Sequence, residues 1–243
     1  MTTEVFVVRD ADLLASAVAA RLVTRVVDRQ AASGTARLLL GGDSAAVSVL
    51  CALAASPARD AVDHARLDVW AADSPWTGTP DEGAAAEPPP GLGTATWHGI
   101  PAGPDASASA ARYAAELAAA RRPEDHGPVP TFDIGLLALH PSGGVAGIDP
   151  ESPAVHDHRA VLVTGPPELP RVTLGLRALA QCDEVWLLGT GAAVAASAHL
   201  VLTGAGVLQV PATAVVGRQR TLLFLDEPAA ARLPAALRRI ASP

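Results

Sequence analysis

Phe132-Asp133-Ile134-Gly135-Leu136-Leu137-Ala138-Leu139-His140-Pro141-Ser142-Gly143-Gly144 is an apolar run that breaks into a turn rich in proline and glycine. Phe132 to Leu139 is too short for a core helix and apolar on both alternations, so it reads as a strand buried on both faces. A Gly-rich loop, Pro141 to Gly147, follows it. The same kind of unit recurs on either side. Val5-Phe6-Val7-Val8 is a short strand, and Asp10 after it can cap a helix whose Leu14, Val18, Leu22 and Val26 keep helical spacing. Leu38-Leu39-Leu40 ends at Gly41-Gly42, and a helix from about Ser44 carries Val47, Leu50 and Leu53 and stops before Pro57. Leu67 to Ala71, Val161 to Val163, Val185 to Leu188 and Thr221 to Leu225 are further strands. Helices are expected from Asp105 to about Arg122, over Leu174 to Ala180, Ala192 to Leu202, and Pro228 to Arg239. Residues 73–104 read as a long irregular stretch in which Trp97 marks a short strand. Alternating strands and helices, with strands apolar on both faces, predict one α/β domain over residues 1–243, a three-layer, Rossmann-like, mainly parallel sheet.

Composition narrows the function. The chain has 243 residues, 49% of them hydrophobic, enough for one sizeable core. No apolar run is long enough to span a bilayer, and no basic-then-apolar leader opens the chain, so the expected place is the cytoplasm. Net charge is −7, and all eighteen cations are arginines, scattered rather than striped, which argues against nucleic acid. With no lysine, Schiff-base chemistry, pyridoxal phosphate attachment and a Walker-type phosphate lysine are excluded. Cys51 and Cys182 sit in apolar surroundings and read as buried thiols.

In an open α/β sheet ligands bind beyond the carboxyl ends of the strands. Three loops matter: Gly41 to Ser44, Asp73 to Trp76, and His140 to Gly147. Gly41-Gly42 ahead of a helix, with Ser44 near its start, could hold a phosphate on backbone N–H groups or simply make a tight turn. Ser44 lacks the G-x-S-x-G setting of a nucleophile. His156-Asp157-His158 with His140 has spacing compatible with two metal ligands on one strand face, but no clear third ligand. A solvated polar turn is the simpler reading, and no metal is assigned.

The run quoted first resembles the F-D-L-x-L-L-G-M-G-P-D-G-H segment of the 6-phosphogluconolactonase family. Leu39-Leu40-Gly41-Gly42 is similar to the family's L-T-G-G. Ser152-Pro153-Ala154-Val155 is similar to S-P-A-V, Pro170-Arg171-Val172-Thr173-Leu174 to P-R-R-I-T-L, and Glu184-Val185-Trp186-Leu187-Leu188 to E-V-W-L-L. Val216-Gly217-Arg218-Gln219, Leu225-Asp226 and Leu233-Pro234 fit as well. The resemblance runs the length of the chain in order. It implies a Rossmann-like fold related to glucosamine-6-phosphate deaminase. The implied activity is hydrolysis of 6-phosphogluconolactone, the second step of the oxidative pentose phosphate pathway, with no cofactor or metal. The family histidine that ends G-x-D-G-H is its general base, and basic side chains hold the phosphate.

The chain departs from that pattern at the chemistry. The family histidine falls on Gly144 and the acid two positions earlier on Ser142. The arginine and glutamate of W-G-D-E-R fall on Pro75 and Ser74, and the lysine after S-G-x-x falls on Val194. Gly41, Gly42, Asp73, Arg171 and, within V-H, His98 survive. Glycine cannot take a proton from water, and Pro75 and Val194 cannot hold a phosphate dianion. His140, four residues before Gly144 in the same loop, is the available substitute base. Three functions follow: a 6-phosphogluconolactonase homologue with weak or lost activity; a hydrolase rebuilt around His140 for another lactone or sugar phosphate; or a non-catalytic partner subunit of a pentose phosphate enzyme. The remnant site would comprise Gly41, Gly42, Ser44, Asp73 and Arg171, with Arg171 pointing into the cleft near Asp73.

Overall fold

A computed structural model of the chain describes residues 3–76 and 88–237. In chain order the elements are β1 (Thr3–Val8), α1 (Ala11–Ser33), β2 (Ala36–Leu40), α2 (Ser44–Ala55), β3 (Leu67–Ala71), β4 (Asp73–Pro75), β5 (Thr96–His98) and α3 (Ala106–Ala119). They continue with β6 (Phe132–Ala138), β7 (Val161–Thr164), β8 (Arg171–Leu174), α4 (Leu176–Leu179), β9 (Cys182–Gly189), α5 (Ala195–Thr203) and β10 (Arg220–Asp226). Local chemistry sets the helix ends. The Asp10 carboxylate accepts the Leu13 N–H at 2.8 Å to start α1, and Gly34, at φ 81°, ends it in the left-handed conformation. Asp105 accepts the Ala108 N–H at 2.8 Å to start α3.

Seven strands form one sheet in the order β1-β10-β9-β6-β2-β3-β5, every adjacent pair parallel. Period-two alternation sends Leu38 and Leu40 to one face and Leu39 to the other, and all three are buried. The first face is covered by α1 and α2 through Leu14, Val18, Leu22, Val49 and Leu50. The second packs Tyr113 and Leu117 of α3 with Leu176, Leu179 and Ala198. Both faces being dry explains the unbroken apolar runs. Asp133, the one acid in β6, accepts the Arg37 N–H at 2.7 Å and pairs with Arg29, so its role is structural.

A second sheet, β4-β8-β7, is antiparallel. It corrects three expectations. Val161 to Val163 is a strand, but of this small sheet. The irregular stretch from residue 73 begins with a strand, Asp73–Pro75. The expected helix over Leu174 to Ala180 shortens to Leu176–Leu179, because Arg171–Leu174 pairs with both β4 and β7. The expected helix from Pro228 does not form over 228–234, where the chain makes turns before a single 3-10 turn at Ala235–Leu237. Pro234 supplies no N–H to continue a helix, and its ring crowds the carbonyl four residues back. The remainder of that helix lies outside the described residues, as does the middle of the 73–104 stretch. Cys182 is buried, and burial pushes its thiol pKa up, but Cys51 is exposed on α2.

Candidate active site

The chain builds outward from β2 through β3 to β5, then returns to place β6 on the other side of β2. The order reverses between β2 and β6, and a crevice opens at the carboxyl ends of such a pair. Gly41 to Ser44 leaves β2 there and His140 to Gly147 leaves β6. The Gly41 N–H donates to Leu136 O at 2.9 Å, tying the two together. The Gly42 N–H donates to Asp73 Oδ1 at 2.9 Å, and a Cβ at residue 42 would stand 3.2 Å from Asp73 O. Glycine permits that approach. The antiparallel register sets Asp73 opposite Thr173 and Pro75 opposite Arg171, and the Arg171 guanidinium pairs with the Asp73 carboxylate. The three loops thus meet at one edge of the main sheet. Because the Gly41 and Gly42 N–H groups are spent on protein acceptors, neither is free to cradle a phosphate.

Two adjoining pockets occupy the crevice. One, of about 190 Å3, is lined by Asp43, His140, Gly144, Gly147, Asp149 and Arg171 among others. The other, of about 170 Å3, adds Ser44, Thr190 and Val194 to Asp43 and His140. A larger hollow of about 430 Å3 lies beside Val7 and Ala230, and among the described residues Glu227 is its ionisable lining side chain.

The β6 loop is folded back on itself. His140 N–H donates to Gly144 O at 3.0 Å, Gly143 N–H to His140 O at 2.9 Å, and Val145 and Ile148 exchange N–H···O bonds at 3.1 and 2.9 Å. Ala146, at φ 48°, and Gly143 and Gly147, at φ 90° and 71°, make the turns. Within this fold a Cβ on Gly144 would lie 2.7 Å from Ile148 O and 2.8 Å from Asp149 Oδ1. The loop has closed around the glycine and leaves no room for a side chain.

His140 is exposed at the pocket mouth. Its Nδ1 lies 2.8 Å from Ser142 Oγ, and Ser142 Oγ lies 2.9 Å from Asp149 Oδ1. Ser44 opens α2 and lines the second pocket. Pro75 is exposed on the edge strand β4, a position that tolerates the missing N–H. Two residues enter the site that sequence reasoning passed over. Asp149 reads in sequence as a loop acid. Asp43 reads as an N-cap for α2, yet its side chain makes no capping bond. Its carboxyl is held above the ordinary range, first by burial and then by Asp73, against the pull of Arg171 and His140. Among the described residues, the ionic inventory is therefore one arginine, already paired, against Asp43, Asp73 and Asp149.

His98 lies elsewhere. On the far edge strand β5, its ring stacks on Trp70 at 3.7 Å between centroids, and its Nδ1 meets Glu116 Oε1 of α3 at 2.8 Å. His156 ends a 3-10 turn rather than lying on a strand, and Asp157 is clamped by Arg159, whose hydrogen bonds bring its carboxyl pKa down to about 2. Among the described residues no three His, Cys, Asp or Glu side chains gather as a metal-binding group. No helix of the described residues is long and apolar enough to cross a membrane.

Comparison with known proteins agrees with this architecture. The chain is 42% identical to a 6-phosphogluconolactonase of Streptomyces coelicolor over 97% of both chains. It is 31% identical to that of Mycobacterium tuberculosis over 96% of this chain and all of the relative. Among solved structures, 6-phosphogluconolactonase from Trypanosoma brucei superposes with a TM-score of 0.79 at 20% identity, covering 96% of this chain and 99% of that one. A monomeric glucosamine-6-phosphate deaminase gives 0.71 at 16% identity over 95% and 100%. Residues 9–224 match the family model described as glucosamine-6-phosphate isomerases/6-phosphogluconolactonase, and it is to this family that the chain belongs.

Proposed function

We propose that the chain is a 6-phosphogluconolactonase homologue in which hydrolysis of 6-phosphogluconolactone to 6-phosphogluconate is weak or lost. The family membership and the 42% identical relative support the substrate class. The observation that carries the loss is at Gly144, where the resemblance places the base and the loop leaves no space for one. Removing a general base costs a factor of about 100 to 10,000. Pro75 and Val194 stand where cations are expected, and each charged hydrogen bond forgone costs about 1.5–3 kcal/mol of affinity. Asp43 and Asp149 add like charge to a phosphate's surroundings. The test is a lactonase assay on 6-phosphogluconolactone corrected for spontaneous opening. No rate above background is expected at ordinary enzyme concentration, and a wild-type rate well above it would overturn the proposal.

One observation favours a second reading. His140 lines both pockets beside Asp43, and its imidazole is a group able to take a proton from water there. On this reading the chain is a hydrolase rebuilt around His140 for another lactone or sugar phosphate, and its rate collapses in His140→Ala.

A further inference from the structure

The reading of His140 as a base leaves open which ring nitrogen does the work. We propose that Asp149 and Ser142 are positioning residues that hold His140 in the Nδ1–H form, leaving Nε2 as the basic nitrogen of this pocket. The inference rests on that second reading and follows from the hydrogen-bond inventory around one hydroxyl. Ser142 Oγ lies 2.8 Å from His140 Nδ1, 2.9 Å from Asp149 Oδ1 and 3.2 Å from the Gly144 nitrogen. A hydroxyl has one proton to give and two lone pairs to offer. An ionised carboxylate can only accept, so the hydroxyl proton goes to Asp149. The Gly144 N–H can only donate, so it takes one lone pair. The remaining lone pair faces Nδ1, which must then carry a proton.

The opposite assignment fails on charge. If Oγ–H donated to Nδ1, two oxygens, one of them anionic, would face each other at 2.9 Å with no proton between them. The Ser142 N–H also donates toward Nδ1, a bond that asks for a bare Nδ1, but at 3.3 Å it is the longest of the set and yields to the hydroxyl's stronger bond to the carboxylate. Direct contact cannot replace the relay, because His140 Nδ1 is 3.9 Å from Asp149 Oδ1, beyond hydrogen-bond reach. The arrangement does through a bridging hydroxyl what a carboxylate does directly when it orients a histidine: it fixes the tautomer and steadies the imidazolium. In a lactone hydrolysis Nε2 takes one proton from the attacking water. The water oxygen bonds to the acyl carbon, the ring C–O bond breaks, and the proton on Nε2 passes to the departing ring oxygen. The second water proton leaves with the carboxylic acid product.

The experiment is long-range 1H–15N correlation of the histidine rings of the full chain at about pH 8, above the ordinary histidine range. His140→Gln assigns the signal. Wild type should show His140 with Nδ1 protonated and Nε2 bare. Ser142→Ala and Asp149→Asn should both shift it toward the Nε2–H form, while Ser142→Thr, which keeps the hydroxyl, should not. All three sites are on the surface of the loop, and an unchanged unfolding midpoint separates a local effect from loss of fold. A wild-type Nε2–H ring, or an Nδ1–H ring that persists in Ser142→Ala, would overturn the inference. Turnover of glucono-1,5-lactone and 6-phosphogluconolactone tests the underlying reading separately. If the tautomer is as described but neither rate depends on His140, the positioning stands and the base assignment falls.

Discussion

The Arg171 guanidinium is paired with the Asp73 carboxylate, and that carboxylate also accepts the Gly42 N–H at 2.9 Å. One buried acid thus ties together the loop after β2, the edge strand β4 and strand β8. The pairing is dictated by register, since β4 and β8 run antiparallel with Asp73 opposite Thr173, two residues along from Arg171. Arg171 also lies against the β6 loop, where a Cβ on Gly147 would come within 2.8 Å of its Nε. Arg171, the one arginine lining the pocket among the described residues, is engaged in holding the site's own walls.

Arg171→Met should therefore cost stability before it costs binding. The Asp73 side chain is 1% exposed, and removing its partner leaves a buried carboxylate unpaired. Breaking a buried pair from one side costs about 3–5 kcal/mol. Urea unfolding of the variant should show a loss of that order. A loss under about 1 kcal/mol, the worth of a surface pair, would mean the pair is solvated and the arginine available to ligands.

Restoring the family side chains should not restore the family rate. Gly144→His must push its Cβ into Ile148 O and Asp149 Oδ1 unless the loop opens, and such overpacking costs about 1–3 kcal/mol. Pro75→Arg would set a second guanidinium directly opposite Arg171 across the β4–β8 pair, where like charges destabilise. The double variant should be less stable than wild type and show no lactonase rate above background. Recovery of a clear rate would show that the loops still reach the family conformation.

The strands of the main sheet were legible because their apolar runs are local facts. What the sequence could not carry is pairing at a distance. Arg171-Val172-Thr173-Leu174 is short and flanked by Pro170 and Gly175, and it is a strand only because β4 and β7 flank it. α2 is apolar over most of its surface, so its sequence does not say which apolar residues turn outward, and Val47 and Cys51 are left exposed beside Ser44, Ser48 and Ala55. The helix expected after Pro228 fits the local rules at its start, and Pro234 interrupts it. At the crevice, Gly41, Gly42, Asp73 and Arg171 were legible from the sequence as neighbours, and they lie together. Asp43 and Asp149 were not, because each has an ordinary local meaning, and only the crossing at β2 and β6 sets both at one pocket.

Asp43 supplies the prediction with a sign that can be worked out. Its ordinary carboxyl pKa is 3.8, and the folded chain raises it, first by burial and then through Asp73. The folded state therefore holds the Asp43 proton more tightly than the unfolded state does. Stability from this group falls as pH rises from the ordinary value through the raised one, and stays lowered above it. Asp43→Asn removes the charge and keeps the shape, so its unfolding midpoint should exceed wild type at neutral pH. The gain should shrink as pH is lowered toward 3.8, where wild type also becomes neutral. The same substitution takes a like charge away from any phosphate entering the pocket. Affinity for 6-phosphogluconate, measured by titration calorimetry at neutral pH, should then rise by about tenfold or more, or roughly 1.4 kcal/mol. Equal midpoints at every pH together with unchanged affinity would show that the Asp43 carboxylate is well solvated and does not shape what this pocket accepts.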